Sequence, residues 1–183
     1  SSTGIARIGA FSVSDSPVFS FPSGLSRNQD RAEVTSHEIG HALGLYHDGA
    51  AGSNATNYYR GHGEWCTIMG AGYSDDITQW NKGEYATSNN SQDDIEIITN
   101  TKNGFGFRTD DHGNTQGTGS AITESTSKTI IATENSGVIE QRTDVDVWLF
   151  GTNGGKIDLT INAFHVKPNL DIEAKLYDSN DQL

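Results

Sequence analysis

The sequence predicts an α+β part over residues 1–106 followed by an all-β antiparallel sandwich over residues 107–183. Three observations predict it. His37, Glu38 and His41 carry helical spacing in a segment that ends at Gly44. Short β-leaning segments bounded by Gly, Ser and Pro lie before that segment. From about residue 107 onward the pattern changes to alternation of apolar and polar residues, the mark of strands that bury one face.

In chain order, the stretches 4–11 and 17–21 read as two extended segments, the second suited to a sheet edge. Asn28 is the expected N-cap of a helix that runs from about Gln29 to Leu43, with Asp30 in its first turn. Residues 49–63, rich in Gly, Ser, Asn and Tyr, read as a loop, and the segment from Trp65 to Gly70 with the lone Met69 follows. Residues 90–98 read as a capped second helix, with Ser91 as its N-cap, Asp94 three residues on, and Gly104 to Gly106 as its stop. Thr129 to Thr133, Val145 to Phe150, Ile157 to Ala163 and Leu170 to Leu176 supply four expected strands. The chain opens inside structured-looking sequence with no signal-peptide pattern, so a fragment or processed product is expected.

Charge and cysteine content exclude several classes. Twelve Lys and Arg stand against 24 Asp and Glu, and the net charge of −12 argues against nucleic acid or an anionic membrane as partner. No apolar run is long enough to span a membrane. Cys66 is the single cysteine, so neither an intrachain disulfide nor a cysteine-rich metal cluster can form. An acidic surface of this kind suits a secreted protein.

The segment from His37 to His47 holds three imidazoles and a carboxylate within eleven residues. Residues four apart share a helix face, so His37 and His41 can aim at one ion with Glu38 beside them. His47 lies about 240° further round a continued helix and would point away, so the helix has to end before it. Gly44 sits where the break is needed, because glycine takes the left-handed conformation without a Cβ clash. Three neutral imidazoles leave a fourth zinc position open, the mark of a catalytic site. Chance pairs of histidines four apart are common, but the added register of Glu38, Gly44 and His47 favours zinc.

The pattern His37-Glu38-x-x-His41-x-x-Gly44-x-x-His47 followed by Met69 resembles the metzincin metalloproteases. Asp48, directly after the third histidine, is most similar to the reprolysin (adamalysin) branch or a bacterial relative of it. The resemblance covers residues 1–106. It implies a zinc endopeptidase acting on proteins or peptides, with His37, His41 and His47 as metal ligands, Glu38 as catalytic base and Met69 as a support beneath the ion. Two features depart from the family: the upstream part of a metzincin catalytic domain is absent, and Cys66 lacks the disulfide partners common in animal reprolysins. Residues 107–183 resemble bacterial pre-peptidase C-terminal domains, with a plain β-sandwich spacer as the competing reading.

Glu64 would replace His47 in a zinc peptidase that uses a downstream glutamate as third ligand. A non-catalytic zinc-binding or adhesion protein is the alternative of a different class, against which the presence of Glu38 speaks. Asp110-Asp111 and Asp144-x-Asp146 offer oxygen ligands suited to calcium, with solvated acidic turns as the bland alternative. Tyr73, four residues after Met69, is a candidate to assist an oxyanion.

Overall fold

The computed structural model describes residues 3–13, 16–21, 23–73, 75–127, 129–165 and 168–183. They form two compact units: residues 1–105 together with 160–183, and residues 106–159.

In the first unit the two expected extended segments pair antiparallel as β1 (Gly4–Ile5) and β2 (Phe19–Ser20), with Gly4 opposite Ser20 and Ile5 opposite Phe19. Helix α1 spans Asn28–Leu43 and packs against both strands. Its N-cap is Arg27, one residue before the expected Asn28. The difference has a simple cause: Asp30 reaches back to accept from the Arg27 backbone N–H at 3.4 Å and from its Nε at 2.8 Å. The side chain that closes the first turn therefore comes from inside the helix.

The C-terminal end of α1 is where the fold defines its centre. Gly44 adopts φ 114°, and its N–H donates to the carbonyls of Gly40 and His41. That is the left-handed stop expected of glycine here. The remaining carbonyls of the last turn also find donors, as a buried helix end requires. His41 O accepts from Gly9 N at 2.8 Å, Ala42 O from Phe11 N at 3.0 Å, and Leu43 O from Asn103 Nδ2 at 3.2 Å. Segments before and after the helix thus lock its end in place.

Strands β3 (Trp65–Thr67) and β4 (Ile77–Gln79) pair in parallel, with Trp65 opposite Ile77. Helix α2 (Asp94–Thr99) packs on α1 and is capped by Asp93, whose Oδ1 accepts from Glu96 N at 3.2 Å. Asp93 takes the role expected of Ser91. Val34, Leu45, Cys66 and Met69 are among the most deeply buried side chains of this unit.

The second unit departs from expectation. Its strands β5 (Ser120–Ala121) and β6 (Trp148–Leu149) pair in parallel, and Glu124 and Ile130 form a single antiparallel bridge. A short 3-10 turn occupies Ala132–Glu134 within the expected strand at 129–133. Described residues of 157–163 and 170–176 form no strand, so the antiparallel sandwich predicted for 107–183 is not formed among the described residues. Ile157, Leu159, Ile161, Leu170, Ile172 and Leu176 stay exposed. Alternation creates one apolar face, but a strand also needs neighbours to receive its N–H and C=O groups, and among the described residues these segments pair with no strand. Among the described residues, no helix is long and apolar enough to cross a membrane.

Candidate metal centre

Helix α1 presents His37 and His41 from one face, and the break at Gly44 brings His47 back to them. Ligand nitrogens of the three lie within 4.8 Å of one another and can hold a metal ion. The third member is His47 and not Glu64, which is exposed and outside this group. His37 Nδ1 bonds to Ile68 O and His41 Nδ1 to Leu45 O, each at 2.8 Å. A ring nitrogen bonded to a carbonyl must be the protonated one, which leaves Nε2 of both rings as a lone-pair donor. His41 Nε2 and His47 Nε2 face one another at 2.9 Å. Two ligands of a tetrahedral zinc with ~2.05 Å bonds sit about 3.3 Å apart, close to the His41–His47 separation, and the third imidazole lies within reach of the same point.

Burial disfavours the charged form of His37 and His47. It lowers His37 and His47 to about 4, and the neighbouring imidazoles add to the effect at both. Their protonation therefore favours the unfolded chain, where histidine titrates near 6.5. The stability they contribute is present above about pH 6.5 and is lost as pH falls towards 4. Metal-free wild type is expected to lose stability relative to His47→Gln over that interval. Urea unfolding at pH 7 and pH 4.5 in chelator measures it, and parallel loss in both proteins would contradict the shift.

Glu38 follows His37 on the same helix and is buried, which raises its carboxyl above the usual range. Its carboxylate lies against β1, where a Cβ at Gly4 would overlap Oε1. Beneath the helix, a Cβ at Gly40 would come within 2.6 Å of Met69 Sδ, so the methionine packs directly on the helix between the histidine positions.

Sequence reasoning missed the framework that holds His47. Asp48 is 1% exposed, and its carboxylate accepts from Thr67 Oγ1, Asn81 Nδ2 and Asn90 Nδ2. Its backbone N–H donates to Met69 O at 2.9 Å and its carbonyl accepts from Tyr59 N at 2.7 Å. Asn81 is held in turn by Asp94, a fully buried carboxyl that burial pushes up to about 7. Tyr58 was also missed. Its ring centroid lies 4.1 Å from that of His47 and 6.3 Å from that of His37. Burial raises its phenol, as do Tyr73 and Glu38 by their charge, so the hydroxyl is protonated at neutral pH. The only available signal was composition, a Tyr-rich loop between the third histidine and Met69.

Tyr73 shares its hydroxyl with Thr3 Oγ1 at 3.2 Å. Cys66 is fully buried and its thiol is pushed up to about 12, which makes it a core residue and no nucleophile. His62 bonds to Tyr59 and His112 to Ser120. The acidic turns do converge, as Asp110, Glu140 and Asp144 and as Asp110, Asp111 and Asp146. Acidic surfaces gather such groups without a cation, and calcium finds no support beyond the grouping itself.

A glycine-terminated helix offering two imidazoles, a third returned to them just past the glycine, and a buried carboxylate alongside fit the metal-dependent peptidase class. Residues 1–100 match the family described as Metallo-peptidase family M12B Reprolysin-like, and the chain belongs to that family. Comparisons with curated proteins and with solved structures each find no match.

Proposed function

We propose that the chain is a zinc-dependent endopeptidase of secreted type, with His37, His41 and His47 as the metal ligands and Glu38 as general base. The observation that carries this reading is the convergence of three imidazoles, two of them oriented by Nδ1 bonds to backbone carbonyls, beside a carboxyl that burial raises above its usual range. Bound there, zinc supplies a Lewis acid that polarises the scissile carbonyl and acidifies a water molecule to near neutral pH. Glu38 takes the proton from the attacking water and passes it to the leaving amine. Substrates are proteins or peptides, as the family implies. The purified protein is expected to hold one zinc per chain and to lose peptide cleavage in chelator. Elemental analysis and a fluorogenic peptide assay measure both, and cleavage by zinc-free material would overturn the proposal.

We further propose that residues 107–183 form a separate module, similar to pre-peptidase C-terminal domains, attached to a catalytic part at 1–106. The unit break at residues 105 and 106 supports the position of the boundary, while residues 160–183 group with the first unit. Exposed linkers are cut first by proteases. Limited proteolysis is expected to cleave between residues 104 and 117, and the zinc-bearing piece is expected to keep small-peptide cleavage. First cuts elsewhere would contradict this boundary.

A further inference from the structure

Tyr58 sits in the loop between the third histidine and Met69, but neighbouring bonds fix it. Thr56 Oγ1 donates to its carbonyl at 3.1 Å, and the next residue is held on both sides, by Asp48 O through its N–H and by Ala71 N at its carbonyl. The ring lies over His47 and, at an interplanar angle of 23°, over His37. It is 42% exposed, so it covers the metal-binding rings from the solvent side. Burial raises its phenol, and the charges of Tyr73 and Glu38 add to that, so the phenol lies within electrostatic reach of the carboxylate. The other tyrosines nearby have committed hydroxyls: Tyr59 to His62, Tyr73 to Thr3 and Tyr85 to Gly49 O. The Tyr58 hydroxyl has no hydrogen bond among the described residues.

We propose that Tyr58 is a catalytic residue of this site, whose hydroxyl donates a hydrogen bond to the oxygen of the scissile carbonyl as negative charge develops there. The proposal rests on the peptidase reading above. A donor used only as charge develops stabilises the transition state more than bound substrate, and removal of one such donor lowers kcat by about 10²–10³-fold. Tyr58→Phe separates this role from packing, because phenylalanine keeps the ring over the histidines and deletes only the hydroxyl.

The test uses the zinc-loaded chain, a fluorogenic peptide and a phosphinic peptide, whose tetrahedral oxygens mimic the charged carbonyl oxygen. Tyr58→Phe is expected to keep one zinc per chain and a KM near wild type, with kcat lowered about 10²–10³-fold. Affinity for the phosphinic peptide is expected to fall by a similar factor. Affinity for an uncleaved amide peptide, measured in a Glu38→Gln background, is expected to stay unchanged. Wild-type kcat and wild-type phosphinic affinity in Tyr58→Phe would overturn the proposal and leave the ring as a wall. Zinc-loaded wild type that cleaves no peptide would overturn the peptidase reading, and Tyr58's role with it.

Discussion

Glu38→Gln is expected to lower turnover about 10²–10⁴-fold, the usual contribution of a positioned general base, while zinc stays bound. The amide fills the same space against Gly4, where no Cβ intervenes, so the helix and its histidines have no reason to move. What is lost is the ability to take a proton. Substrate binding does not use that proton, so kcat should fall with KM nearly constant. Steady-state kinetics and zinc analysis on the same preparation decide it. Turnover within a few-fold of wild type would remove Glu38 from the mechanism.

His47→Ala is expected to weaken zinc binding itself. Altering a hydrogen-bond partner behind a metal ligand costs about 10–100-fold in affinity, and removing a ligand outright should exceed that. The variant also leaves a gap beside the Tyr58 ring, whose centroid lies 4.1 Å from that of His47. Glu64→Ala is expected to leave zinc affinity unchanged, because Glu64 is exposed and lies outside the histidine cluster. Competition with a chromophoric chelator measures both variants. The reverse outcome would make Glu64 the third ligand and His47 incidental.

The site was legible where local geometry alone decides position. His37 and His41 share a helix face by spacing, and Gly44 had to break the helix for His47 to return; both follow from elementary helix geometry. Asp93 and Arg27 were missed as caps because several polar residues near each helix start compete for the role. The Asp48 framework was not legible, since Thr67, Asn81 and Asn90 are ordinary polar residues in loops or short strands, related to Asp48 only through tertiary structure. Tyr58 sits in a segment without period, where sequence does not say which way a ring turns. The alternation at 157–163 and 170–176 carried no information about strand partners, and pairing is what makes a sheet.

The carboxylate of Asp48 joins residues that are synthesised well after it, the last being Asn90, 42 positions further on. At a synthesis rate of about 5–20 residues per second, that gap takes about 2–8 s. Helix α1 can wind within microseconds of its emergence, so His37 and His41 stand paired long before their third companion has anything to hold it. A nascent chain in that interval offers an ion two nitrogens and a mobile third. Tight capture of an ion at the three imidazoles is therefore expected only once the segment around Asn81 and Asn90 has docked against Asp48.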